Sequence, residues 1–263
     1  MTTNYLFCVD SDGCAMDTMT YKHELFFGPL IVKHFPIENP EQFQKDWEKL
    51  NLYSRTRGVN RFTGLVMSLK AAGVPNIDRL VEWAETTDSL SNASLEAAIA
   101  EQDSSDLQAA LAWSNDVNAH IKGYEGEVLA FPKAKEGLAK LSQLGRVYVV
   151  SSANREAVEE EWRDQGLLDY VTDLYCQDRG KKEDVIAQLL AKVDQPDHLL
   201  MIGDSPGDCS AAEQNGVRFY PIMVGDEEAS WTDLLEGQAE QFVAGTYDEA
   251  TYKSRFWDNL DKG

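Results

Sequence analysis

Three features of the sequence predict an α/β fold: a Rossmann-like, doubly wound parallel sheet with an inserted all-helical domain. Short apolar runs alternate with helical patterns from residue 129 to about residue 224. One further apolar run, residues 5–10, opens the chain. Between them lies a long stretch with helical patterning alone. Repeated strand–helix units build parallel sheets through right-handed crossovers, so the first run must join that sheet across the insertion. The expected division is therefore a core of residues 1–18 and 129–263, interrupted by a helical domain over 19–128.

Each element has its own local warrant. In the insertion, helical spacing predicts helices over 21–34, 40–52, 62–72, 76–85, 93–101 and 106–121, broken at Gly58, Gly73-Val74-Pro75 and Gly123. The last shows Leu107, Leu111 and Val117 on one face, with Ser104-Ser105 available as an N-cap. In the core, Pro132 suits a first helical position and 134–144 follows as helix. Residues 147–150 read as a strand, and 155–165 as a helix with Asn154 as its cap. Residues 170–176 read as a short strand, 182–192 as a helix and 198–202 as a strand. A helix opened by Asp208 runs to 215, and 217–224 reads as a further strand. The tail contains Trp231, Phe242, Tyr247, Tyr252, Phe256 and Trp257, aromatic enough to pack on the core.

Composition excludes several classes. A chain of 263 residues with 43% hydrophobic and 10% aromatic content is an ordered globular protein. No apolar run approaches the roughly 20 residues of a bilayer-spanning helix. The residues before the first strand lack a basic stretch of the kind that opens a secretory signal. Four cysteines without CxxC spacing suit reduced thiols, and a cytoplasmic location is expected. A net charge of -21 disfavours nucleic acid and anionic membranes as partners. It also requires that any phosphorylated ligand meet local positive charge, from a cation, a lysine or helix N-termini.

The chemistry lies in an ordered set of residues at strand ends. Asp10-Ser11-Asp12-Gly13 ends the first strand, Ser151 follows the strand 147–150, Lys182 opens a helix, and Gly203-Asp204-Ser205-Pro206-Gly207-Asp208 follows the strand 198–202. Singly these are a turn dipeptide, a strand-end serine, a solvated lysine and a polar loop. Together they converge on the crevice at the carboxyl ends of a parallel sheet, where ligands bind. Carboxylates, a hydroxyl and an ammonium in one crevice are the parts of a magnesium-dependent phosphoryl-transfer site.

This ordered set resembles the haloacid dehalogenase superfamily, and the helical insertion resembles the C1-type cap of its phosphoglycolate phosphatase and β-phosphoglucomutase branch. The resemblance implies Asp10 as nucleophile, Asp12 as general acid and base, and Ser151 and Lys182 as phosphoryl-binding groups. It implies Mg²⁺ held by Asp10, Asp204, Asp208 and the Asp12 backbone carbonyl. Lys182 stands in the register of the family's lysine, with Lys181 as the weaker alternative. The aspartate at position 12 favours phosphate esters, because dehalogenating members of the superfamily lack it. Asp17-Thr18 follows the first motif as in many C1-capped members.

In the insertion, Gly58-Val59-Asn60-Arg61 is similar to a β-phosphoglucomutase loop whose arginine meets a substrate phosphate. Arg61 then binds substrate, or else pairs with one of the many carboxylates nearby. Cys14 and Lys22 depart from the family pattern, and Lys22 stands where the mutase has histidine. The implied activity is a Mg²⁺-dependent phosphatase of a small phosphorylated metabolite, with a sugar phosphomutase as the alternative. A signalling receiver domain fits poorly, because its acids are adjacent and its chain about half as long.

Overall fold

A computed structural model describes residues 4–262. The chain divides into two compact units, one of Met1–Met19 with Glu127–Gly263, the other of Thr20–Gly126.

The first unit is built on five parallel strands: β1 Leu6–Val9, β2 Arg146–Val150, β3 Asp173–Tyr175, β4 Leu199–Gly203 and β5 Arg218–Pro221. Their order in the sheet is β3-β2-β1-β4-β5. β1 is therefore central, with Leu6 opposite Arg146 on one side and Leu199 on the other. Alternation along β1 sends Phe7 and Val9 to one face and Leu6 and Cys8 to the other, and all four are fully buried. Helices cover both faces, which is why the strands read as continuous apolar runs. The sequence direction reverses on either side of β1, so a crevice opens at the carboxyl ends of β1 and β4.

Several expected elements are shorter than their apolar patterns. Residues 170–176 split into a 3-10 turn Leu168–Tyr170 and the three-residue β3. β5 stops at Pro221, which has no N–H to extend a ladder. Pro132 lies outside the helix Ala134–Leu144, whose N-cap Lys133 takes a left-handed conformation with φ 69°. By contrast, Asn154 caps its helix through Glu156 and Ala157 N–H, as its position predicts. The aromatic tail packs as expected: Trp231 is fully buried and Phe256 nearly so. Trp231 fits because position 137 is glycine. A Cβ there would lie 2.5 Å from the indole ring.

The second unit is all helical. Its helices Pro40–Leu52, Arg61–Ala71, Asp78–Thr86, Asn92–Glu101 and Ser105–Lys122 follow a segment that passes through a π-helical stretch, Lys22–Phe27. Helices of this length are marginal alone, so the packed aromatic centre holds them. Trp47, Trp113, Phe62 and Phe27 form that centre, and the Trp113 indole donates to the Phe27 carbonyl at 3.0 Å. Asn39, Asn60 and Ser91 cap their helices, whereas the Ser104 hydroxyl donates to Asp106 instead of capping.

All four cysteines are free and fully buried. Burial pushes the Cys176 thiol up to about 11 and Cys209 up to about 12, and raises Cys8 and Cys14 as well. The thiolate is the reactive form, so these thiols are inert in the fold. DTNB at pH 8 is expected to label none within minutes in the native protein and all 4 after denaturation. Rapid native labelling of even one would contradict the packing around it.

Candidate active site

β1 delivers Asp10 directly beyond its last residue, and the loop that follows is tightly wound. The Ser11 carbonyl accepts from the N–H groups of Cys14, Ala15 and Met16, and Gly13 takes a positive φ of 79° to allow the turn. Asp10 is 6% exposed. Its Oδ1 accepts from the Ser11 N–H at 2.8 Å, and its Oδ2 lies 2.7 Å from the Lys182 ammonium. Asp12 is half-buried and accepts a hydrogen bond from the Thr18 hydroxyl.

β4 brings Asp204, buried at the strand's end, and the helix Pro206–Asn215 brings Asp208 from its first turn. Ser205 and Asp208 form a capping box, in which Asp208 Oδ2 accepts from the Ser205 N–H at 3.0 Å and hydroxyl at 2.7 Å. Asp208 Oδ1 accepts from Lys182 at 2.5 Å. The approach requires a glycine at 203, because a Cβ there would stand 2.4 Å from the Asp208 carboxyl carbon. Ser151 sits at the end of β2, 4% exposed, its N–H bonded to the Tyr175 carbonyl. Lys182 opens the helix Lys182–Leu190, while neighbouring Lys181 is exposed. Asp10, Asp204, Asp208 and Lys182 thus meet at the crevice, with Ser151 and Asp12 at adjoining strand ends.

Three carboxylates of the crevice could hold a metal ion together. Asp10, Asp204 and Asp208 each bring one carboxylate oxygen within 4.8 Å of the others, all buried. Burial first, then the charges of Asp208 and Asp204, hold the Asp10 carboxyl well above the usual range, against the pull of Lys182. For Lys182, burial disfavours the ammonium, but the two carboxylates outweigh it and raise its pKa. With all three carboxylates ionised, one ammonium would leave negative charge uncompensated. A hard divalent cation fits that deficit and that donor set. Asp208 already accepts three hydrogen bonds of the roughly four a carboxylate can take, so Asp10 and Asp204 have more capacity for a metal.

Arg61 belongs to the other unit, at the first turn of its helix. Its guanidinium lies 5.1 Å from the Phe27 ring centre and donates to Asn118 at 2.7 Å and Ser114 at 3.3 Å. Both hydrogen-bond partners are neutral, and among the described residues Arg61 forms no pair with a carboxylate, the alternative the sequence left open. Four contacts were missed from the sequence: Ser205 on Asp208, Thr18 on Asp12, and two indoles on the first loop. Only the first carried a readable signal, the S-x-x-D spacing of a capping box.

The haloacid dehalogenase-like hydrolase family model matches residues 80–228, more than half of the chain. The chain belongs to the haloacid dehalogenase-like hydrolases. Ser151, Lys182, Asp204 and Asp208 fall inside the matched stretch, and Asp10 and Asp12 precede it. No curated protein sequence matches the chain. Among solved structures, this hydrolase resembles a candidate phosphoglycolate phosphatase from Lactobacillus delbrueckii subsp. bulgaricus at 15% identity and TM-score 0.55, covering 95% of this chain and 100% of that one. It also resembles a candidate β-phosphoglucomutase from Thermotoga maritima at 16% identity and TM-score 0.54, covering 90% and 99%. A predicted phosphoglycolate phosphatase from Haemophilus somnus aligns at 13% identity and TM-score 0.51, covering 85% and 87%. Likeness at these identities establishes the shared fold. No helix among the described residues is long and apolar enough to cross a membrane.

Proposed function

We propose that this hydrolase is a Mg²⁺-dependent phosphatase of a small phosphorylated metabolite, acting through an aspartyl-phosphate on Asp10. The buried cluster of Asp10, Asp204 and Asp208 around Lys182, at the carboxyl ends of β1 and β4, carries the reading.

In the first step an Asp10 oxygen attacks phosphorus. The new O–P bond forms as the ester P–O bond breaks, and the departing oxygen takes a proton from Asp12. In the second, Asp12 removes a proton from water, whose oxygen attacks the same phosphorus. The Asp10–phosphorus bond breaks and inorganic phosphate leaves. Thr18, donating to Asp12, holds that carboxyl in place. Ser151 and Lys182 bind the phosphoryl oxygens, where charge accumulates. Mg²⁺, held by Asp10, Asp204 and the Asp12 carbonyl with Asp208 anchoring Lys182, would neutralise phosphoryl charge. The buried, reduced thiols suit a cytoplasmic setting.

A screen of phosphorylated metabolites for phosphate release, with Mg²⁺ and with EDTA, tests the reading. Release that requires Mg²⁺ supports it, and full activity in EDTA overturns the metal. Conversion of a hexose 1-phosphate to the 6-phosphate without release would establish the mutase alternative.

Thr20–Gly126 is proposed as the substrate-selecting cap, with Arg61 as its anion-binding residue. A half-buried guanidinium whose hydrogen-bond partners are neutral keeps its charge available for a ligand. Arg61→Ala is expected to lower kcat/KM for the preferred substrate by roughly ten- to a hundredfold, the scale of a hydrogen bond to a charged group, and to spare p-nitrophenyl phosphate. Equal losses on both substrates would make Arg61 structural.

A further inference from the structure

Two buried indoles reach the loop that carries Asp10 and Asp12 from different helices. Trp162, on the helix Arg155–Asp164, donates its Nε1–H to the Ser11 hydroxyl at 2.8 Å. Trp231, on the helix Glu227–Asp233, donates to the Cys14 carbonyl at 2.9 Å. Both tryptophans and Ser11 are fully buried, and the surrounding cluster is apolar.

We propose that Trp162 is a positioning residue: its hydrogen bond to Ser11 sets the aim of Asp10 and Asp12. Trp231 braces the other end of the same loop. The inference rests on the phosphoryl-transfer roles given above to those aspartates.

Three observations carry it. First, Ser11 is the residue between the two aspartates, and its N–H donates to Asp10 Oδ1. Any rotation at Ser11 therefore moves both carboxyls. Second, a buried hydroxyl in an apolar cluster is costly unless bonded, and the Ser11 hydroxyl has the Trp162 indole as its donor. An apolar residue at 11 and phenylalanine at 162 would fill the space without that cost. What the polar pair adds is direction, since a hydrogen bond fixes an angle that packing alone leaves loose. Third, the helix bearing Trp162 follows directly on the loop that carries Ser151. The contact thus ties the phosphoryl-binding loop to the nucleophile loop, two groups whose separation in-line attack must hold.

The test compares Trp162→Phe, Ser11→Ala and the double variant, with Asp10→Asn as the inactive control. Each single variant is expected to lower kcat about tenfold with KM unchanged, less than the hundredfold typical of a 1 Å misplacement. The double variant should lose no more than either single one, because both remove the same bond. Amide NMR supplies a readout independent of turnover. In Trp162→Phe the Asp10–Gly13 signals should move, while those of the helix Pro206–Asn215 stay. Wild-type kcat in Trp162→Phe, additive losses, or unmoved Asp10–Gly13 signals would overturn the proposal. If the wild type released phosphate from no ester, the phosphatase reading would fall, and the NMR shifts would still decide whether Trp162 sets this loop.

Discussion

Asp10→Asn is expected to abolish turnover, by at least about a thousandfold, and to leave the protein folded. An amide has no anionic oxygen to attack phosphorus and cannot form the acyl-phosphate. The fold should survive because asparagine keeps the shape of the side chain and an oxygen to accept from the Ser11 N–H. It also removes a carboxylate whose charged form burial penalises. Lys182 loses one of its two anionic partners but retains Asp208 at 2.5 Å. Circular dichroism and a thermal melt check the fold, and phosphate release checks the chemistry. Retention of more than a few per cent of activity by a folded variant would remove Asp10 from the nucleophile's role.

Lys182→Met should damage both activity and stability. In the native protein the ammonium sits between Asp10 and Asp208, its side chain 14% exposed. Removing it leaves buried carboxylates without their cation, a change that typically costs about 3–5 kcal/mol. Its pKa is raised in the fold, so its contribution is complete below the unfolded value and is lost only as pH rises through the folded one. Through the neutral range that contribution is therefore constant, and the loss in Lys182→Met persists across it. Phosphate release should fall with it, because in the proposed mechanism the phosphoryl oxygens lose their ammonium. Added Mg²⁺ should raise the variant's Tm more than the wild type's, since a cation that binds the folded state would offset the exposed deficit. A Tm equal to wild type would show that the carboxylates do not depend on Lys182. Equal responses of the two proteins to Mg²⁺ would separate the lysine from the metal.

The sheet and the candidate site were legible in the sequence for different reasons. β1, β2 and β4 are buried on both faces, so they appear as unbroken apolar runs such as Leu6-Phe7-Cys8-Val9. Ligand-binding residues of such a sheet fall at the carboxyl ends of its strands, which made Asp10, Ser151 and Asp204 stand out by position. Edge strands gave a weaker signal. β3 and β5 are shorter than their apolar patterns because tertiary pairing, rather than side-chain character, decides how far a ladder extends. Local chemistry also misled at Pro132, where the backbone turns left-handed at Lys133 before the helix begins.

The sequence by itself determined the order of the elements, the parallel sheet, the helical insertion and the identity of the charged groups at the strand ends. Those follow from periodicity and from the few residue types able to do phosphoryl chemistry. The sequence favoured Lys182 over Lys181, and the tertiary structure brought Lys182 to Asp10 and Asp208, since which of two adjacent lysines turns inward depends on how the helix packs. Tertiary structure alone decided that Arg61 bonds to Asn118 and Ser114 rather than to a carboxylate. The Trp162 and Trp231 bonds to the first loop belong to the same class, joining residues 151 and 217 positions apart. A hydrogen bond depends on angles and on tenths of an ångström, and only the packed chain fixes those.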